Sequence, residues 1–270
     1  MKTIFKLSEA NMAYKQLKLW FDTDLAELLA DKLLANGVIF DKTSFVNSVA
    51  EKLAYLELKD RVELLADALH SHLPYNYPTA VSHLINILGP KNEKETGMFK
   101  EFYWVMPIAT YVEKYGLDHF DTSMSAIREI TQRNTGEYTI RPYLERFPEQ
   151  TLDVMQTWSK DNNKHVRRLS SEGVRPRLPW ASKLDLFIQD PTPIFPILDN
   201  LKDDSSKYVQ KSVANCVNDV LKDNPDVGKT WIGNWAPMAS KQRKWIIKHA
   251  MRNLLKAEDP WAIGVLGSLS

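Results

Sequence analysis

Asp161-Asn-Asn-Lys-His-Val166 returns 43 residues later as Asp204-Ser-Ser-Lys-Tyr-Val209. In each copy an aspartate and a polar cap region open a helix whose first buried residue is the valine. A spacing of roughly 40–47 residues is that of two-helix units which stack on one another. Two similar helix starts could also arise by coincidence, so the surrounding pattern must decide.

Upstream, apolar residues recur at helical spacing. Residues 24–34 carry Leu25, Leu28, Leu29 and Leu33 behind Asp24 as N-cap. Residues 44–56 carry Phe45, Val49, Leu53 and Leu56 behind Ser44 as N-cap. Residues 60–73 follow with Leu64, Leu65, Leu69 and Leu73, and Pro74 to Pro78 breaks the pattern. Residues 79–88, 98–115, 121–132 and 149–158 are further candidates. No run alternates with period two between hairpin turns. Fourteen prolines and ten glycines punctuate these short segments and form no linker. The pattern predicts an all-α chain of stacked helical hairpins.

The 270 residues suffice for a sizeable core. A single cysteine, Cys216, excludes an internal disulfide and suits a reducing compartment. No apolar run reaches the roughly 20 residues that span a bilayer. Met1-Lys-Thr-Ile-Phe-Lys-Leu7 has no secretory h-region with a cleavage site, so a cytoplasmic location is expected. The net charge of +1 is unevenly distributed. Residues 1–130 hold 14 Lys/Arg against 18 Asp/Glu, and residues 131–270 hold 21 against 16. The basic excess of the second half is consistent with an anionic partner or with chance scatter.

Three later segments present polar faces. Residues 164–172 read as a helix ended by Gly173 as a left-handed terminating residue. Glu172 then lies in the last turn, against the negative end of the helix dipole, with Arg168 one turn earlier. Residues 207–222 bury Val209, Val213, Cys216, Val217 and Val220. Their other face carries Lys211, Asn215, Asn218 and Lys222, with Asp219 nearby. Residues 241–256 bury Ile247, Ala250, Met251, Leu254 and Leu255, and set Lys244, Lys248 and Arg252 at intervals of four. Like charges at that spacing repel unless an anion lies across them. Joined, the three faces could form one basic track for nucleic acid, or remain ordinary solvated surface.

Glu137-Tyr-Thr-Ile-Arg-Pro-Tyr-Leu-Glu-Arg146 and Val166-Arg-Arg-Leu-Ser-Ser-Glu-Gly-Val-Arg-Pro-Arg-Leu-Pro-Trp-Ala181 resemble the signature of the AlkC-type DNA alkylation-repair glycosylases. Val209-Gln-Lys-Ser-Val-Ala-Asn215 and Lys248-His-Ala-Met-Arg-Asn-Leu-Leu255 resemble that family too. The likeness runs from about residue 130 to the end.

The resemblance implies a single domain over residues 1–270, a curved solenoid of HEAT-like helical-hairpin repeats. Residues 1–130 would be N-terminal helices, and residues 131–270 the repeats carrying the site. Some relatives add an immunoglobulin-like domain after the solenoid, and none is expected after Gly264-Val-Leu-Gly-Ser-Leu-Ser270. The implied activity is monofunctional hydrolysis of the N-glycosidic bond of cationic alkylated bases, 3-methyladenine and 3-methylcytosine, in base excision repair. The lesion would stay stacked and be read from the backbone side.

Such chemistry needs electron-rich groups facing a developing cation. Glu172 and Glu137 are the expected carboxylates. Trp180, in a proline-stiffened loop, is the expected aromatic wall. Arg141, Arg168, Arg175 and Arg177 are expected to hold phosphates near the lesion. Lys211, Asn215, Lys244, Lys248 and Arg252 are expected to grip DNA farther away. The expected partner is double-stranded DNA with alkylated bases, bound by a monomer without cofactor or metal. His70 and His72 lie on different helix faces and make no metal site. Phe99-Lys-Glu-Phe-Tyr-Trp104 reads as core packing. The residues alone leave a second reading open, a non-catalytic helical-repeat scaffold that binds DNA or protein.

Overall fold

The computed structural model describes residues 15–96 and 99–269, with Phe99 described in its backbone alone. The N-terminal stretch read above for secretion signals lies outside the described residues. All regular structure among the described residues is helical. No described helix is long and apolar enough to cross a membrane.

The chain forms two compact units, where the sequence reading has one domain. One comprises Met1–Lys91 with Met98–Asn134, and the other Asn92–Gly97 with Thr135–Ser270.

The first unit contains α1 (Thr23–Ala35), α2 (Lys42–Ala50), α3 (Leu58–His72), α4 (Tyr77–Asn86), α5 (Phe99–Phe102), α6 (Met106–Tyr115) and α7 (Phe120–Thr131). Asp22 caps α1 by accepting from Asp24 and Leu25 amides, so the cap lies two residues before the expected one. Asp41, not Ser44, caps α2, which stops at Ala50 and gives way to a short 3-10 turn. Segment 98–115 is likewise broken, by a 3-10 turn at Tyr103–Val105 ahead of α6. Tyr103 packs edge-on against Trp20 and Phe21, and Phe102 and Trp104 are buried, as the core reading expects.

The second unit contains α8 (Arg141–Arg146), α9 (Pro148–Trp158), α10 (Lys164–Glu172), α11 (Asp185–Gln189), α12 (Phe195–Leu201), α13 (Lys207–Asp223), α14 (Pro225–Trp235), α15 (Lys241–Ala250), α16 (Arg252–Lys256) and α17 (Pro260–Ser268). α13 packs against α10 on one side and α15 on the other. Its stripe of Val209, Val213, Cys216, Val217 and Val220 is fully buried, as the periodicity requires.

The internal repeat is structural. Asp161 accepts the Asn163 amide at 2.7 Å and Asp204 accepts the Ser206 amide at 2.8 Å, the same turn before each helix. Asn163 then caps α10 and Ser206 caps α13. The equivalent rings of His165 and Tyr208 meet edge to face at 5.5 Å. Arg167 crosses between the units of the repeat to pair with Asp204 at 2.6 Å.

Two further local expectations fail. Gly173 has φ of −64°, so it is not a left-handed terminator. Its reason is space: a Cβ there would lie 2.6 Å from the Ile140 Cγ2 and 3.0 Å from the Met155 Cε. The expected helix 241–256 breaks at Met251, so Arg252 starts α16 and leaves the register of Lys244 and Lys248. Leu254 and Leu255 are only half-buried as a result.

Candidate functional site

Glu172 closes α10 and is 5% exposed. The next residue, Gly173, lets this end of α10 lie directly against α9 and the chain ahead of α8, where a Cβ would have no room. Arg175 donates to Glu172 Oε1 at 2.7 Å, and the Arg168 guanidinium lies 3.5 Å from Oε2. Arg168 also pairs with Glu137 at 2.8 Å, and Arg175 pairs with Asp219 at 2.9 Å. The five groups therefore form one row, Glu137–Arg168–Glu172–Arg175–Asp219, with acids and bases alternating. Three acids against two bases leave the row one negative charge in excess when all are ionised.

Neighbours fix this row further. Thr135 donates its hydroxyl to Glu137 at 3.0 Å. The Arg168 guanidinium lies over the Tyr208 ring at 4.9 Å. The Ser171 and Ser212 hydroxyls are 2.7 Å apart. Burial opposes ionisation of Glu172, but attraction from Arg168 and Arg175, with hydrogen bonds from Ser212 and Arg175, outweighs it and holds the carboxyl below its usual range. Asp219 goes the other way: burial pushes its carboxyl up, against the pull of Arg175.

Trp180 is 80% exposed. It stands at φ +66°, in the left-handed region that a branched or bulky residue avoids. Pro179 precedes it, and the Ala181 amide donates back to the Leu178 carbonyl. Proline followed by a positive φ is the signature of a type II turn, whose third position usually falls to glycine or asparagine. The turn is braced at both ends. The Leu184 amide donates to the Pro176 carbonyl at 3.1 Å, and Arg141 donates to the carbonyls of Gly173 at 3.2 Å, Arg175 at 3.0 Å and Ser182. The Tyr138 hydroxyl reaches the Pro179 carbonyl at 3.5 Å, which ties the turn to the residue beside Glu137. Burial, then the nearby Glu137 charge, push that phenol up to about 12, so it is a donor at any physiological pH.

The four arginines expected at phosphates are placed differently from one another. Arg141 is 3% exposed and spends its terminal nitrogens on carbonyls of the chain, and its Nε has no partner among the described residues. Arg175 is buried between two carboxylates. Neither guanidinium is offered to solvent, which corrects the expectation for both. Arg168 is held by Glu137 and Glu172 with 17% of its side chain exposed. Arg177, 29% exposed, pairs with Asp223 at 2.7 Å.

Two residues of α13 also depart from the reading of its polar face. Asn218 is buried and donates to the Ala250 carbonyl at 2.6 Å, joining α13 to α15. Asp219 is buried in the carboxylate row and does not balance the surface lysines. Sequence reasoning missed Asp219 as a site residue because only the fold brings it 44 positions across to Arg175.

Lys211 and Lys248 are exposed, and Asn215, Lys244 and Arg252 are half-buried. Three residues that sequence reasoning did not single out join this face. The Lys207 ammonium lies 2.9 Å from the centre of the Trp245 ring, and that ring stacks on His249 at 4.8 Å and 13°. No carboxylate pairs with Lys207, Lys211, Lys248 or Arg252 among the described residues. No cluster of three potential metal ligands occurs among the described residues.

Residues 110–254 match the family model described as DNA alkylation repair enzyme. The uncharacterized protein YhaZ of Bacillus subtilis (strain 168) is 34% identical over 252 residues, which are 93% of this chain and 68% of that protein. The solved structure of the Pseudomonas fluorescens alkylpurine DNA glycosylase AlkC, bound to DNA containing an abasic site analog, is 35% identical. It superposes with a TM-score of 0.85, covering 93% of this chain and 68% of AlkC. The crystal structure of AlkD2 from Streptococcus mutans, 21% identical, superposes with a TM-score of 0.54 over 78% of this chain and 97% of that chain, and shares the helical-repeat fold. The chain belongs to the DNA alkylation repair enzyme family.

Proposed function

We propose that this chain is a monofunctional DNA glycosylase that releases cationic, N3-alkylated bases, 3-methyladenine and 3-methylcytosine foremost, from duplex DNA. The observation that carries the reading is the row in which Glu137, Glu172 and Asp219 exceed Arg168 and Arg175 by one negative charge, with the exposed indole of Trp180 on a turn that Tyr138, the neighbour of Glu137 in the chain, ties down. An alkylated base is already positive and needs no acid to leave. As the C1′–N bond breaks, its electron pair neutralises the base, and positive charge passes to the sugar. Fixed negative charge and an electron-rich ring stabilise that charge without reorganising. A water molecule then adds to C1′ and gives up its proton to a carboxylate.

Glu172 takes the closer electrostatic and water-positioning role, with Glu137 assisting and Trp180 as the wall. The arginines divide. Arg168 and Arg175 keep the carboxylates ionised and in place, Arg141 braces the tryptophan turn, and Arg177 with the lysines of α13 and α15 faces the phosphates. The likeness to a DNA-bound alkylpurine glycosylase over 93% of this chain supports the duplex as partner.

Incubation with methylated duplex and chromatography of the released bases tests the reading. Glu172→Gln should bind the duplex as the parent does and release base about 10²–10³-fold more slowly. Release at the parental rate would remove Glu172 from the mechanism. No release by the parent chain would leave a DNA-binding scaffold.

A further inference from the structure

Counted from the N-caps Asn163, Ser206 and Ser240, the helices α10, α13 and α15 can be compared position by position. Five residues after the cap stand Arg168, Lys211 and Trp245. Nine residues after it stand Glu172, Asn215 and His249. His249 therefore holds in the third helix the place that the candidate catalytic glutamate holds in the first, and α13 packs between the two. The imidazole lies flat on Trp245, half-buried, and its ring hydrogen-bonds to no described residue. Around it are cations from each packed element: Lys207 and Lys211 from α13, and Arg252 at the start of α16, whose guanidinium donates to the His249 carbonyl at 2.8 Å. The acid that acts on Arg252 is Asp219, already engaged by Arg175.

We infer that His249 takes up a proton when a phosphodiester anion settles on the Lys207–Lys211–Arg252 cluster, so that this stretch of the face holds DNA more tightly in mild acid. Without an anion, burial and then the charges of Arg252, Lys211 and Lys207 disfavour an imidazolium, and the ring stays neutral. A phosphate among the four groups reverses the balance: it screens the cations from one another and gives the N–H of the protonated ring an acceptor. The proton comes from solvent, and one cation is added to the interface. Linkage requires that if DNA raises the affinity of the ring for protons, protons raise the affinity for DNA by the same factor. The inference rests on the proposed DNA-binding function and adds a titrating ligand to it.

Binding of a fluorescent undamaged duplex is measured by anisotropy at pH 5.5 to 8.5 and constant ionic strength, for the parent and for His249→Gln, which cannot titrate. The parental affinity should rise by up to about tenfold from pH 7.5 to 5.5, within what uptake of one proton on binding allows. Its dependence of log K on log salt should steepen by about 0.9, one additional phosphate contact. His249→Gln should show neither change. Parallel pH profiles for parent and variant overturn the inference. So does an unshifted His249 proton titration, followed by NMR in the parent with and without duplex, a measurement that does not depend on the variant folding. Base release by a parent with a pH-independent affinity sinks this inference alone. A parent that neither binds duplex nor releases base sinks the glycosylase reading with it.

Discussion

Trp180 occupies a backbone conformation suited to glycine, yet carries the largest side chain and exposes four-fifths of it. Burial does not account for the residue, and the conformation costs about 1 kcal/mol for any residue with a Cβ. Strain of this kind persists where the surroundings over-determine it, and the surroundings here are the Arg141 fan of carbonyl bonds and the Leu184–Pro176 bond. Trp180→Gly should therefore stabilise the chain by about 1 kcal/mol, raising Tm by about 3 °C. The same change should cut base release at least about tenfold through loss of the indole face. Calorimetry and the release assay on one preparation check both halves, and unchanged release would remove the ring from the site.

At the scale of elements, the repeat joint between α10 and α13 rests on Asp204. Its carboxylate accepts the Ser206 amide and holds Arg167 by two bonds, at 2.6 and 3.2 Å, with only 5% of its side chain exposed. Removing one partner from a buried pair leaves the other uncompensated. Asp204→Ala should cost about 3 kcal/mol and lower Tm by about 10 °C. Asp204→Asn, which keeps an acceptor for the Ser206 amide, should lose less. Equal Tm values for Asp204→Ala and the parent would show that the repeat joint draws nothing from this pair. The joint was legible beforehand: the Asp161 and Asp204 hexapeptides announce both helix starts, and the valine stripe of α13 announces its buried face. The break after Ala250 was not legible, because Met251 and Arg252 continue an apolar-basic alternation that local pattern reads as one helix. Gly173 misled for a related reason. Glycine at a helix end signals a left-handed turn, while here it answers to Ile140, a neighbour 33 positions away that no local window contains. The roles of the arginines were hidden in the same way, since only the fold carries Asp219 to Arg175 and Asp223 to Arg177.

Across the whole molecule, mild acid acts on His165. The ring is 5% exposed, and its Nε2 lies 3.1 Å from the Asn92 carbonyl. Burial, opposed by hydrogen bonds to the Asn92 and Lys94 backbone and helped by the nearby cations Lys164 and Arg168, lowers its pKa below the usual histidine value. The unfolded chain protonates this ring near pH 6.5 and the folded chain only at lower pH, so between the two the unfolded state binds more protons. The contribution is fully present above about pH 6.5 and is lost as pH falls toward the folded value. Tm should fall between pH 7.5 and 5.5, and His165→Gln, whose amide can still donate to Asn92, should show a smaller fall. An identical decline in both would place the acid sensitivity elsewhere. The charge asymmetry between the two halves was legible from the chain alone. The row of three carboxylates was not, since its members lie at positions 137, 172 and 219 and no spacing rule links them.

Cys216 lies wholly inside the valine stripe of α13, and burial pushes its thiol well above the usual range. Electrophilic methyl donors attack thiolates, and this sulfur offers neither a thiolate nor a path of approach. A member of the DNA alkylation repair enzyme family is exposed to the alkylating reagents whose lesions that family answers. Iodoacetamide should accordingly leave the native chain unlabelled for hours and modify it at one position once guanidinium has opened it, as mass spectrometry would report. Placing the sole sulfhydryl out of reach removes the chain's most alkylatable group from attack.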